Sequence, residues 1–120
     1  IKHHTVQGDS NIIKLRGRSS FQSPAYNAVK MIEAAMGGEK FTLPAGCYVN
    51  CDKCGFKNVM MAMPTTIDKT GVHFTEPTGT EEELASLAKS YEHLCKMRDE
   101  IVELGIVPPV AEWKEMNPNL

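Results

Sequence analysis

Residues 58–105 read NVMMAMPTTIDKTGVHFTEPTGTEEELASLAKSYEHLCKMRDEIVELG, a run that passes from a strand pattern through a turn into a helix pattern. Asn58 to Met63 looks extended, and its apolar run has Val59, Met61 and Met63 on one face and Met60 and Ala62 on the other. That pattern predicts a strand buried on both sides. Asp68-Lys69-Thr70-Gly71 is a turn signal, so Thr65 to Asp68 and Val72 to Thr75 are expected to pair as a hairpin. Thr80 and Glu83 then match a capping box, and Glu81 and Glu82 suit the positive end of a helix. Leu84, Leu87, Ala88, Tyr91, Leu94, Cys95, Arg98 and Val102 trace one side at helical spacing. Gly105 stops the helix and Pro108-Pro109 prevent its continuation. Its expected length is about 36 Å at 1.5 Å per residue. Trp113, the only tryptophan, is expected to pack back as an anchor.

Upstream, Ser23 reads as an N-cap and Pro24 as the first helical position. Ala25, Ala28, Val29, Ile32 and Met36 form the apolar face of that helix, and Gly37-Gly38 end it. Lys2 to Leu15 reads as a helix of lesser quality, weakened at Gly8 by about 1 kcal/mol relative to alanine and ended by Gly17. Phe41 to Leu43 and Cys47 to Asn50 look extended, with Pro44 and Pro64 at strand ends or bulges. Two helices, mostly antiparallel strands and a long last helix define an α+β fold, expected as one domain over residues 1–120.

The net charge of −2 argues against nucleic acid as a partner, because phosphate binding needs a basic face. The longest apolar run, Val59 to Met63, is too short to span a bilayer, so no membrane partner and a cytoplasmic location are expected. On that basis the four cysteines are expected as thiols rather than disulfides. The chain opens on Ile1 rather than methionine, which raises the expectation that something precedes it.

Three groups of residues invite chemistry. Cys47, Cys51 and Cys54 form C-x3-C-x2-C, a spacing similar to the cluster-binding motif of radical SAM enzymes, and three thiolates on a short loop can hold iron or zinc. A chain of 120 residues cannot supply the barrel those enzymes need, and zinc would need a fourth ligand, with His73 the nearest in sequence. A metal-free, reduced Cys-Asp-Lys-Cys loop is the favoured reading, and a small metal-binding protein using Cys47, Cys51 and Cys54 the alternative. His3, His4, His73 and His93 lack an obvious orienting carboxylate and are read as surface or core-edge residues. Arg16 and Arg18 flank Gly17 just before Ser19, Ser20 and Ser23, where arginines and hydroxyls at a helix N-terminus could bind a carboxylate or phosphate. Solvated helix ends are the plainer reading. No glycine-rich phosphate fingerprint, Gly-x-Ser-x-Gly elbow or His-Glu-x-x-His motif is present.

Residues 11–39, NIIKLRGRSSFQSPAYNAVKMIEAAMGGE, resemble the helix-loop-helix that opens the C-terminal domain of lactate and malate dehydrogenases. Gly55 to Pro64 is similar to the family's strand ending in a Gly-Val-Pro-like segment. Gly71-Val72 and the Glu-rich last helix with Ser90 to Leu94 complete the order. The Phe-Gln-Ser-Pro loop and the Asn-Pro-Asn-Leu ending look closest to a bacterial, NAD-dependent malate dehydrogenase branch.

That resemblance implies an oxidoreductase interconverting malate and oxaloacetate with NAD. The catalytic His–Asp pair, the dinucleotide fingerprint and the clamp arginines would lie in an N-terminal Rossmann domain before residue 1. The chain alone would hold no catalytic residue, would be inactive, and would expose a large apolar face where that domain sits. By the same resemblance either Ser19 or Ser20 faces substrate and Ser23 and Pro24 lie on the nicotinamide side; Arg18, a departure from the family's pattern, could add a carboxylate contact. Arg18 stands where relatives often carry Lys-Gly, and the Cys-Asp-Lys-Cys turn is unusual. The family is oligomeric, so a homo-oligomer, a dimer, is implied. A lactate or other 2-hydroxy-acid dehydrogenase domain is the nearest alternative, and a non-catalytic module pairing through the long helix a third.

Overall fold

A computed structural model describes residues 2–118 and 120, with side chains from His4 onward. Its elements run α1 (Lys2–Arg16), α2 (Gln22–Ala35), β1 (Ala45–Cys51), β2 (Phe56–Met63), β3 (Thr65–Asp68), β4 (Gly71–Phe74) and α3 (Glu81–Glu103). A 3-10 turn (Val110–Glu112) and the short α4 (Trp113–Met116) follow. The α+β order matches the sequence reading. The chain divides into two compact units: a helical unit ending at Phe41 and including Ile67–Gly71, and a unit of Thr42–Thr66 with Val72–Leu120.

In the helical unit, α1 ends where Gly17 takes φ 71° and donates its N–H to the Ile13 carbonyl at 2.8 Å. The expected Ser23 cap and Pro24 first position are corrected. Helix α2 begins at Gln22, its N-cap is Phe21, and no side chain caps it. The first i to i−4 bond joins the Ala25 N–H to the Phe21 carbonyl at 3.0 Å. Pro24 therefore sits one residue before the first amide that needs an acceptor, and its missing N–H costs nothing there. At the other end Gly37 adopts φ 94°, and Gly38 donates to the Glu33 carbonyl at 2.8 Å. Of the expected α2 face, Ala25, Ala28, Val29, Ile32 and Met36 are all exposed, and only Ala34 of this helix is buried. Phe41 exchanges backbone hydrogen bonds with Ile67 at 3.1 and 2.8 Å, and both side chains are buried.

The second unit holds the larger core. Strands β1 and β2 pair antiparallel with Ala45 opposite Met63, Cys47 opposite Met61 and Val49 opposite Val59. These side chains face inward, and Val49 and Met63 are the largest fully buried ones. Helix α3 covers that face with Leu87, Tyr91 and Leu94. Strand β2 is not buried on both sides: Met63 is 1% exposed and Met60 61%. A two-stranded sheet with a helix on one face has only one dry face, so Val59 to Met63 alternate although all five are apolar.

The register shifts between Val49 and Cys51, whose partners are Val59 and Phe56. Lys57 and Asn58 thus share the place of one residue opposite Asn50, and Asn58 adopts φ 53°. This bulge flips the alternation, so Phe56 turns inward and is buried while Lys57 turns out. Helix α3 satisfies the interrupted ladder. The Arg98 guanidinium donates to the Asn58 and Lys57 carbonyls at 3.0 and 3.4 Å, and the Tyr91 hydroxyl accepts from the Lys57 N–H at 3.1 Å. That explains an arginine on the inward side of the helix.

The capping box forms as expected. Thr80 Oγ1 accepts from the Glu83 N–H at 3.3 Å, and Glu83 Oε2 accepts from the Thr80 N–H at 2.8 Å. Leu87, Ala88, Tyr91, Leu94, Cys95, Arg98 and Val102 are the half-buried residues of α3, and Leu84 is exposed. Gly105 ends the helix at φ 69°. Strands β3 and β4 form a two-stranded sheet, their turn set by the Asp68 carboxylate accepting from the Thr70 N–H at 2.8 Å. Trp113 anchors as expected: its Nε1 donates to the Pro108 carbonyl at 2.7 Å and its ring lies 6.4 Å from that of Tyr48.

Candidate functional site

The segment from Arg16 to Pro24 leaves α1 through the left-handed Gly17 and enters α2. All of it is exposed except the half-buried Ser20. The Ser19 hydroxyl donates to Asp9 Oδ1 at 3.5 Å, and an Arg16 nitrogen donates to Gln22 Oε1 at 3.4 Å. The Arg18 guanidinium lies 5.0 Å from the Phe21 ring centroid, a cation–π contact that holds the charge over the start of α2. Among the described residues neither arginine forms an ion pair. Because no side chain caps α2, its first amides and its dipole add positive character beside two guanidinium groups. An anion with planar oxygens, above all a carboxylate, suits that set of donors. The structure thus brings Arg18, Ser19, Ser20, Ser23 and Pro24 into one short loop and first helical turn.

The other candidates separate. Cys47 is buried, its thiol directed at the Met61 carbonyl at 3.7 Å and close to the Thr65 hydroxyl. Cys51 and Cys54 are joined as a disulfide with their Cα atoms 5.7 Å apart. The expectation of four thiols is corrected. Two cysteines three positions apart across a hairpin turn fall within bridging reach, and this local geometry outweighs the argument from compartment. Only Cys47 and Cys95 are free. Three thiolates therefore do not converge, and among the described residues no group of three His, Cys, Asp or Glu side chains could hold a metal ion. His4, His73 and His93 are exposed, as expected, and the side chain of His3 lies outside the described residues.

Sequence reasoning missed an apolar cavity of about 470 Å³ on the second unit, lined by Met60, Met97, Arg98, Ile101, Leu104 and Trp113 among others. Met97, Ile101 and Leu104 form a second apolar stripe along α3 and its C-cap, beside Leu94, which also lines the cavity. That second stripe was the available signal. Among the described residues no helix is long and apolar enough to cross a membrane.

The helix-loop-helix, with its anion-suited loop at the second helix, lies in one unit, and the antiparallel hairpin with the long closing helix in the other. A family model described as the lactate/malate dehydrogenase α/β C-terminal domain matches residues 1–104. The chain belongs to that family. It is 34% identical over 94 residues to a malate dehydrogenase of Geobacillus kaustophilus (strain HTA426), covering 77% of this chain and 30% of that protein. It is 33% identical over 87 residues to a malate dehydrogenase of Sorangium cellulosum (strain So ce56), covering 72% of this chain and 28% of the relative. With a malate dehydrogenase of Pelagibacter ubique (strain HTCC1062) it shares 35% identity over 83 residues, 68% of this chain and 26% of the other. The chain thus matches less than a third of the length of each.

Proposed function

We propose that this chain is the C-terminal, substrate-side domain, as one domain over residues 1–120, of an NAD-dependent malate dehydrogenase that interconverts malate and oxaloacetate. The observation that carries the reading is the cationic loop feeding an uncapped α2, in a chain of this family. Arg18 presents a planar fork of donors to one substrate carboxylate. Ser19 or Ser20 adds a hydroxyl donor, and the first amides of α2 favour the same negative charge. These groups bind and orient; the chain holds no catalytic acid or base.

The chemistry that bound NAD would supply is that of a hydride acceptor for malate oxidation. Ser23 and Pro24, exposed in the first turn of α2, suit an edge contact with the nicotinamide side. They do not suit a cradle, for which the sequence has no glycine-rich phosphate loop. The main NAD site, the His–Asp pair and the clamp arginines are assigned to an N-terminal Rossmann domain of the same polypeptide. The exposed Phe21, Tyr26, Val29, Ile32 and Met36 support a helical unit made to be covered by further protein. Malate over lactate rests on the relatives' names. A cytoplasmic homo-oligomer, a dimer, serving the tricarboxylic acid cycle goes with this reading.

The test is NADH oxidation by the full-length gene product with oxaloacetate and with pyruvate. Faster turnover of oxaloacetate is expected, and turnover of pyruvate alone would move the assignment to a lactate dehydrogenase. In the same enzyme Arg18→Ala should raise the KM for oxaloacetate roughly ten-fold, the effect of losing one charge-assisted contact. An unchanged KM would remove Arg18 from the site.

A further inference from the structure

The turn Cys51-Asp52-Lys53-Cys54 carries chemistry that malate oxidation does not use. Cys51 closes β1 and Cys54 follows in the turn, their sulfurs joined. Other bonds hold this turn as well. The Gly55 N–H donates to the Asp52 carbonyl at 3.3 Å with Gly55 at φ 71°, and Lys57 pairs with Asp52. The bulge beyond it is fixed to α3 by Arg98 and Tyr91. Two thiols released by reduction would therefore stay within reach of each other, and reclosure would need little ordering of the chain.

The pair is also asymmetric. The Cys54 N–H points at Cys51 Sγ at 3.3 Å, a donor that stabilises negative charge on that sulfur. Both side chains are half-buried at the edge of the core formed by Val49, Phe56 and Val59. Cys47, by contrast, is 6% exposed and enclosed by that core.

We propose that Cys51 and Cys54 form a reversible dithiol–disulfide site that exchanges with low-molecular-weight disulfides and thiols, Cys51 being the sulfur that bonds to the outside partner. In oxidation, the Cys51 thiolate attacks one sulfur of a small disulfide. The S–S bond of that molecule breaks and one thiolate leaves, taking up a proton. Cys54, losing its proton to solvent, then attacks Cys51 Sγ in the mixed disulfide and expels the second thiolate. Two electrons pass from the cysteine pair to the small disulfide, which ends as two thiols, and reduction runs the same steps backwards.

The experiment equilibrates the full-length gene product with graded mixtures of glutathione and glutathione disulfide, quenches by alkylation and maps the cysteines by mass spectrometry. The Cys51–Cys54 bridge should rise with the disulfide share and fall again when glutathione is added. Cys54→Ser should accumulate a glutathione adduct on Cys51, about ten-fold faster than Cys51→Ser accumulates one on Cys54. A pair that stays wholly bridged or wholly reduced across the series overturns the site. Equal adduct rates overturn the role given to Cys51. The wild-type titration decides the first point even if either variant fails to fold.

Discussion

The two units spend their apolar residues differently. In the strand-and-helix unit, Cys47, Val49, Val59, Met61 and Met63 are buried against one another, and α3 closes over them. In the helical unit, Val29, Ile32 and Met36 repeat along α2 at the same kind of spacing, yet remain 54%, 59% and 84% exposed. Periodicity marks which side of an element is meant to be dry, but not where the covering surface comes from. One unit carries its cover in its own sequence. The other leaves the apolar face of its second helix exposed.

Cavity-forming substitutions should separate the units most sharply. Met63→Ala removes a side chain that is 1% exposed and should cost about 2–5 kcal/mol in denaturant unfolding of this chain. Ile32→Ala should change the same measurement by less than about 0.5 kcal/mol. If the proposed N-terminal domain covers α2, the Ile32 effect in the full-length protein should grow to about 2 kcal/mol, because a covered isoleucine leaves a cavity when truncated. Equal effects of Ile32→Ala in both forms would break the comparison, showing that the α2 face is exposed in the parent protein too.

The next largest effect concerns the covering helix. Thr80 caps α3 by accepting from the Glu83 amide, so Thr80→Ala should destabilise the strand-and-helix unit by about 1 kcal/mol. Helix α2 has no side-chain cap to lose, and Ser23→Ala should leave stability within about 0.5 kcal/mol. A Ser23 effect as large as that of Thr80 would restore Ser23 to the capping role that its place in the sequence suggested.

Much of this was legible before any coordinates. Capping box, glycine stops and apolar stripe act within a few residues of one another, so α3 could be drawn nearly residue by residue. The hairpin turn at Asp68 was readable for the same reason. Several of the differences depend on partners distant in sequence. Val59 to Met63 is apolar throughout, and only the one-sided cover of the sheet decides that Met60 faces out. The bulge at Lys57 and Asn58 leaves no signature in composition, and it alone places Phe56 inside. Spacing put Arg98 on the inward side of α3 but did not show what it binds there, because the carbonyls it satisfies lie some forty residues earlier. The Cys51–Cys54 bridge follows from a spacing of three positions across a turn, which an argument from compartment does not capture. The loop with Arg18, Ser19, Ser20 and Ser23 stands out by its residues, while the substrate and nicotinamide sides given to Ser19, Ser20, Ser23 and Pro24 come from resemblance. Local physics alone supports only an anion-suited loop.

Acid should reach both units through two carboxylates, with effects smaller than those of the substitutions. The Thr80 amide and hydroxyl hold the Glu83 carboxyl below its ordinary value. Asp68, in the helical unit, is lowered to about 2, chiefly by the hydroxyl and amide of Thr70, with Lys40 adding to it. Both groups bind a proton less readily when folded than when unfolded, so each contributes stability that is complete above its unfolded value near 4. That contribution fades as pH falls through the folded value, for Asp68 between about 4 and about 2. Glu83→Gln keeps an acceptor for the Thr80 amide but cannot titrate. It should therefore flatten the acid limb of α3 unfolding while leaving the limb reported from the Asp68 turn in place. Asp68→Asn should do the reverse. Unfolding followed separately by circular dichroism and by the fluorescence of Trp113, which belongs to the second unit, tells the two apart. If either variant flattens both limbs equally, the units do not respond to acid as separate bodies, and the contrast between them holds for packing alone.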